Sequence, residues 1–157
     1  MSTYRVRAAT LDDAESLVRH RIAMFTDMGM AFDADAIGSA FAKWLREIMP
    51  LGAYRAWLVE TETGEVVAGA GATIIPWPPG PHYPGDKLAF VYNVYTEPAH
   101  RRRGLGRLVM DAIHVWCREH DVTSIALNAS GGGRLLYESM GYVVTPSPMM
   151  FFRVVGV

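Results

Sequence analysis

Residues 94–107 read VYTEPAHRRRGLGR and form the most informative segment of the chain. Within it an apolar strand pattern ends, a turn holds arginines and two glycines, and the strongest helix pattern of the chain begins. Glycines allow a sharp turn and the close approach of a ligand. The unpaired N–H groups of the first helical turn then face that ligand with a positive dipole behind them. The segment therefore has the properties of a pyrophosphate-binding turn.

Two common phosphate-binding motifs do not describe this turn. A Walker loop requires Gly-Lys-Ser/Thr, which does not follow, and a dinucleotide fingerprint requires a third glycine three residues after Gly106, which is absent. These residues alone also leave open a purely structural role for the turn, in which the glycine pair only caps the helix and the arginines are solvated.

The spacing of apolar residues on both sides of the turn predicts strands and helices over the rest of the chain. Thr10 and Asp13 form the pattern of a capping box at the start of the first helix. The strand–helix–strand unit 88–128 is expected to be a right-handed parallel crossover. The predicted strands are 3–8, 54–60, 66–75, 88–96, 124–128 and a closing hairpin of 142–144 and 149–153, and the predicted helices are 10–29, 33–49, 104–120 and 130–140.

The composition predicts one domain, residues 1–157, with an ordinary balance of 50% hydrophobic and 20% charged residues. A net charge of -1 gives no general attraction to nucleic acid or to membranes. The single cysteine, Cys117, cannot form an internal disulfide, and no apolar run follows a basic start. We therefore expect a cytoplasmic protein. The five histidines show no ligand spacing on one helical face, and we expect no metal site.

Two motifs resemble those of the GNAT acetyltransferases. Arg101-x-x-Gly104-x-Gly106 resembles the family's Q/R-x-x-G-x-G/A signature, and residues 130–142, SGGGRLLYESMGY, resemble its second motif, N-x-x-A-x-x-L-Y-x-x-x-G-F. The motifs stand in the family's order, and the resemblance covers essentially the whole chain. It implies an α/β (α+β) fold with a mixed central sheet of about six to seven strands, flanked by about four helices. Ser130 and Gly133 depart from the pattern, since the family often has asparagine and alanine there.

The resemblance also implies acetyl-CoA as co-substrate and a primary amine as acceptor. Main-chain groups of Val94, Tyr95 and Thr96 would follow the pantetheine arm. Asn128 and Ser130 would contact the pantetheine or the adenine, and Arg134 would reach the nucleotide end. Tyr137 would return a proton to the departing thiolate. The backbone of residues 102–107 would wrap the pyrophosphate. The cofactor-binding residues that the resemblance implies at this turn are Arg101, Arg102, Arg103, Gly104, Leu105, Gly106 and Arg107.

The groups that would move protons are less clear than the phosphate site. An amine must be neutral to attack a thioester, yet a free alkylamine is mostly protonated at neutral pH. Glu97 is the nearest carboxylate in sequence, but a solvated turn residue is the simpler interpretation, so we expect deprotonation through water. Tyr137 itself has packing as an alternative role. Asp27, Asp33 and Asp35 lie at the junction of the first two helices, where they either hold a cationic amine or cap and solvate helix ends.

Several functional alternatives stay open. The chain is either an N-acetyltransferase acting on a small-molecule amine, one acting on a protein amine, or a non-catalytic acyl-CoA-binding sensor or partner module. Nucleic-acid binding through the arginine cluster is disfavoured, because no basic stripe continues elsewhere. The apolar residues 149–152 are compatible with a homodimer or with a buried final hairpin. The acceptor pocket is expected between the first helix pair, the loop 76–85 and that hairpin.

Overall fold

A computed structural model describes residues 3–154, which form five strands and four α-helices. A capping box of Thr10 and Asp13 precedes the first helix, as predicted. Short 3-10 turns cover residues 11–13, 49–51 and 98–100. The elements are β1 (Arg5–Ala8), α1 (Ala14–Asp27), α2 (Ala34–Ile48), β2 (Tyr54–Glu60), β3 (Val66–Pro76), β4 (Lys87–Thr96), α3 (Leu105–Glu119), β5 (Ser124–Leu127) and α4 (Arg134–Ser139).

The strands form one mixed sheet in the order β1-β2-β3-β4-β5. Neighbouring strands from β1 to β4 are antiparallel, and β5 lies parallel to β4. The α/β class and the parallel strand–helix–strand unit are thus confirmed. No helix within residues 3–154 is long and apolar enough to cross a membrane.

The prediction of six to seven strands was too high, because the closing hairpin does not form. Residues 142–144 and 149–153 belong to no strand. The two arms are only three and five residues long, and Pro146 and Pro148 restrict the backbone of the four residues that would have to turn between them. Met150 and Phe151 are 91% and 90% exposed, so the interpretation of this segment as a buried hairpin is wrong. A contact with a second copy stays a prediction.

Helices cover both faces of the sheet, and the alternation of side chains along β2 shows the two layers. Tyr54 and Leu58 pack with α1 and α2 in one apolar cluster, whereas Trp57 and Val59 pack with α3 in the other. Successive side chains of a strand point to opposite faces. The sheet therefore has the three-layer arrangement that an α/β domain uses to bury both faces of its strands.

One close approach inside the sheet depends on glycine. A Cβ atom at Gly71 of β3 would lie 1.9 Å from the phenol oxygen of Tyr54. Tyr54 is only 2% exposed, and its hydroxyl accepts a hydrogen bond from Nδ2 of Asn93 at 3.0 Å. Because the ring is enclosed on all sides, it cannot move aside without breaking that bond or its packing.

The substitution Gly71→Ala should therefore destabilise the protein by about 1–3 kcal/mol, the usual cost of overpacking a core. Gly80 offers a matched control, since a Cβ there meets nothing within 4 Å. Gly80→Ala should change the free energy of unfolding by less than about 0.5 kcal/mol. Urea unfolding of both variants measures the difference, and equal stabilities would show that Tyr54 is not held as described.

Candidate active site

Strand β4 and the edge strand β5 separate part of the way along β4. The parallel pairing of β4 with β5 runs from Leu88–Ser124 to Val91–Leu127 and ends there. β4 continues to Thr96, hydrogen-bonded only to β3 on its other side. Within residues 3–154 the edge of residues 92–96 is therefore unpaired on the side of β5, and we call the region between this edge and the residues that follow β5 the cleft.

A β-bulge lies at the start of this cleft. Gly71 of β3 stands opposite Tyr92 and Gly69 stands opposite Tyr95, so two residues of β4, Asn93 and Val94, oppose one residue of β3. Asn93 has a φ of 58°, which is uncommon outside glycine although asparagine tolerates it better than most residues. Such a bulge bends the strand and re-aims its side chains.

The side chains of the bulge point to different layers. Val94 packs against the apolar cluster of α3. Asn93 is buried in the opposite layer, where its Oδ1 accepts a hydrogen bond from Nη1 of Arg21 at 2.6 Å and its Nδ2 donates to Tyr54. Burial raises the pKa of Tyr54 to about 12. Sequence reasoning missed this chain of three polar groups, although Arg21 interrupts the apolar stripe of α1.

The turn between β4 and α3 leaves a run of backbone donors free. Arg102 and Gly104 have φ values of 60° and 78°. The N–H of Arg101 bonds the carbonyl of Pro98, and that of Leu108 bonds the carbonyl of Gly104. Between them, the N–H groups of residues 102–107 bond no backbone carbonyl within residues 3–154. This arrangement, at a helix N-terminus, suits an anion.

The arginines of the turn have different surroundings. Arg101 donates from Nε to the Thr96 carbonyl at 2.9 Å and forms an ion pair with Asp27 of α1, so its side chain fastens the turn to the first helix. Arg103 donates to the hydroxyl of Tyr4 at 3.1 Å. Arg107 donates to Oγ of Ser139 on α4. Arg102 is exposed. The backbone of the turn, more than the side chains of Arg101, Arg103 and Arg107, is thus free to bind a ligand.

Tyr137 lies on α4 and packs in the same cluster as Leu105 and Val94. Only 7% of it is exposed, and burial raises the pKa of its phenol above the ordinary value. A buried phenol of this kind stays protonated at neutral pH. Gly133 makes room for the ring, because a Cβ there would lie 2.9 Å from Cε2 of Tyr137.

The other residues predicted to contact the co-substrate come after β5 in the sequence, on the opposite side of the cleft from β4. Asn128 comes directly after the last residue of β5, and it is exposed, as is Ser130. The carbonyl of Ser130 accepts the N–H groups of Gly133 and Arg134, both at 3.1 Å. The three glycines before Arg134 form a turn, so α4 begins later than predicted. Arg134 is exposed and forms an ion pair with Glu138 at 2.7 Å.

Three of the four carboxylates considered as bases or amine ligands are already engaged, whereas Asp35 is exposed on α2. Asp27 pairs with Arg101, and Asp33 accepts the N–H of Ala36 as the N-cap of α2. Glu97 lies 3.3 Å from Nε of Arg19 and 3.7 Å from Nε2 of His20.

His20 is the second feature that sequence reasoning missed. It is 2% exposed, and its Nε2 has no hydrogen-bond partner within residues 3–154. Burial lowers the pKa of the imidazole to about 4, so the ring is neutral at physiological pH. The described residues contain no group of three or more His, Cys, Asp or Glu side chains that could hold a metal ion.

Solved structures of acetyltransferases resemble this chain over nearly its whole length. A GCN5-related N-acetyltransferase from Ralstonia eutropha is 34% identical, with a TM-score of 0.85 over 98% of this chain and 100% of that one. A predicted acetyltransferase from Clostridium acetobutylicum, solved with acetyl-CoA, is 24% identical, with a TM-score of 0.86 over 96% of both chains. An aminoglycoside N-acetyltransferase solved with CoA is 16% identical, with a TM-score of 0.75 over 99% and 97%. The last two share the fold.

No curated protein matches the sequence. The model of the acetyltransferase (GNAT) family, in contrast, matches residues 21–142, which include β4, the turn, α3, β5 and α4. The match spans well over half of the chain, and both sequence motifs lie inside it. The protein therefore belongs to the GNAT acetyltransferase family.

Proposed function

We propose that the protein is an acetyl-CoA-dependent N-acetyltransferase that acts on a primary amine, most simply that of a small molecule. The observation that carries the proposal is a path lined by two sets of free main-chain groups, which are separated by residues 97–101 and by the Thr96 carbonyl that accepts from Arg101. It begins at the unbonded N–H groups of residues 102–107 and runs along the unpaired edge of β4 to the bulge at Asn93. Acetyl-CoA has a pyrophosphate at one end of an amide-containing arm and a thioester at the other, so this path suits it.

Each part of the path would hold one part of the co-substrate. The backbone of residues 102–107 and the exposed side chain of Arg102 would bind the pyrophosphate. Val94, Tyr95 and Thr96 would offer main-chain groups to the amides of the arm, as an added strand does at a sheet edge. The side of the cleft that follows β5 is bordered by Asn128, Ser130 and Arg134. These residues would contact the pantetheine or the nucleotide end of the co-substrate.

The bound co-substrate supplies an activated acetyl group, and the protein residues supply position and protons. Attack by the amine nitrogen forms the N–C bond while the C–S bond breaks, and the sulfur leaves as a thiolate. Tyr137 would donate its phenolic proton to that sulfur, since the ring packs with Val94 beside the cleft. The amine would lose its proton to water, because Glu97 already faces Arg19.

The one cysteine of the chain is poorly suited to a covalent step, which favours direct transfer of the acetyl group within a ternary complex. This cysteine, Cys117, is buried in the core cluster. Burial raises the pKa of that thiol to about 11, so almost none of it is the reactive thiolate at neutral pH. A covalent acetyl-cysteine step therefore has no suitable residue here.

The function is tested by incubating the purified protein with acetyl-CoA and a panel of primary amines, and by measuring free thiol. We expect acetyl-CoA to bind in calorimetry and at least one amine class to release thiol well above the rate of hydrolysis. Binding without release on any amine, including peptide N-termini, would instead favour a non-catalytic sensor. Absence of binding would contradict the assignment of the cleft.

Substitution of Tyr137 by Phe tests the general acid. Removal of the hydroxyl should reduce kcat about 100-fold or more, the usual contribution of a positioned acid, and should leave the Kd of acetyl-CoA nearly unchanged. In the unsubstituted protein, kcat should not fall with rising pH until above pH 10, because burial raises the pKa of Tyr137 from its ordinary value of 10.0.

Tyr142→Phe is the matched control for this substitution. The ring of Tyr142 lies 5.8 Å from that of Tyr137, and its hydroxyl is hydrogen-bonded to Nε2 of His114 at 2.7 Å. This variant should keep its kcat. If Tyr137→Phe keeps its kcat as well, Tyr137 only packs and another group protonates the sulfur.

A further inference from the structure

Arg21 is a half-buried cation without a carboxylate partner. Its guanidinium lies 4.7 Å from the ring centre of Phe25 and 5.0 Å from that of Phe41, and it donates from Nη1 to Asn93. No carboxylate oxygen of residues 3–154 lies within 4.0 Å of it. In contrast, Arg7, which is also partly buried, is paired with both Asp13 and Glu60.

Such an arrangement is costly unless something else balances the charge. Removing a cation from water is unfavourable when no counterion compensates for it, and burial lowers the pKa of Arg21. A guanidinium nevertheless remains charged in proteins, and it carries five N–H donors. Nη1 of Arg21 donates to Asn93, while Nε and Nη2 donate to no atom of residues 3–154. These two nitrogens are not fully buried, so solvent or a ligand can reach them. Free donors on a fixed cation are suited to an oxyanion.

Arg21 lies beside the bulge, where the amine would react in the proposed mechanism. Its partner Asn93 belongs to the bulge, where the cleft between β4 and β5 begins. The α3 side of the bulge is filled by the cluster that contains Val94 and Tyr137. An amine would therefore approach from the opposite layer, beside Arg21. Tyr92, which is 41% exposed, lies in that layer, and its ring is tilted by 30° against that of Phe90 with ring centres 4.8 Å apart.

We propose that Arg21 binds an oxyanion on the acceptor, so that the substrate class is a primary amine carrying a carboxylate or a phosphate. A fixed cation beside the bulge attracts such a molecule and repels polycationic amines. The aromatic surface of Phe90 and Tyr92 would contact the apolar part of the same molecule. This inference rests on the proposed acetyltransferase function.

A purely structural role for Arg21 makes a different prediction. If Arg21 only holds Asn93 in the bulge, its loss lowers kcat for every acceptor alike. If it binds the acceptor, its loss raises KM for anionic acceptors far more than for neutral ones, in addition to any loss of kcat through Asn93 that both kinds share. The comparison therefore requires amines that differ only in the anionic group.

The experiment uses matched pairs of amines with the unsubstituted protein. The pairs are an L-amino acid with its carboxamide, for small, aliphatic and aromatic side chains, and O-phosphoethanolamine with ethanolamine, with spermidine as the polycation. We expect one anionic member to exceed its neutral partner in kcat/KM about 10- to 100-fold, which corresponds to one charge-assisted hydrogen-bonded contact. The carboxylate and phosphate pairs identify which oxyanion is bound.

Arg21→Met should then raise KM for the preferred anionic acceptor by the same factor and remove the preference. Arg21→Lys should restore part of it, because the charge is retained without the planar fork. Arg46→Met is the control, since Arg46 is exposed on the neighbouring helix α2, and it should keep the preference. Circular dichroism establishes that the variants are folded, and the Kd of acetyl-CoA shows whether the bulge is disturbed.

Two outcomes would overturn the proposal. One is a preference of the unsubstituted protein for spermidine or for the neutral members of the pairs, which needs no variant to detect. The other is an equal loss of kcat on both members in Arg21→Met, without a change in their ratio. In both cases acetyl-CoA binding and thiol release would still be observed, so failure here differs from failure of the proposed function.

Discussion

The separation of β4 from β5 after the pair Val91–Leu127 is the constraint on which the site depends. A parallel pair that continued to Thr96 would satisfy its own main-chain groups and leave no room for a ligand arm. The bulge at Asn93 and Val94 bends β4 at this point. The same strand then leads into the turn with its free N–H groups, so one distortion opens the cleft and directs it toward an anion site.

The bulge is held in place by groups from three other elements. Gly71 of β3 leaves space for the phenol of Tyr54 from β2, Tyr54 accepts the amide of Asn93, and Asn93 accepts a donor of Arg21 from α1. Each member is buried or half-buried, and an unsatisfied polar group there would be expensive. Packing thus converts a locally unfavourable backbone conformation into a fixed one. It also places a cation in the layer from which an acceptor would arrive.

The sequence predicted the parts of the molecule that depend on local chemistry. The turn and α3 follow from glycines, arginines and apolar spacing within residues 94–107, and each of the nine strands and helices described lies near its predicted range. The bulge was not predictable, because it arises from the register between β3 and β4. The prediction of the closing hairpin was wrong for a related reason, because an alternation of apolar and polar residues does not by itself provide a partner strand. Arg21 was visible as an interruption of an apolar stripe, but its partner Asn93 lies 72 residues away.

The cleft from residues 102–107 to Asn93 is proposed to bind acetyl-CoA. Amide ¹H–¹⁵N spectra recorded during a titration with acetyl-CoA test this proposal most directly. The N–H groups of residues 102–107 should shift strongly as they gain acceptors, together with those of residues 93–96, while the amides of β1 and of residues 77–86 should change little. Shifts confined to other regions, or no shifts at saturating acetyl-CoA, would show that this cleft is not the co-substrate site.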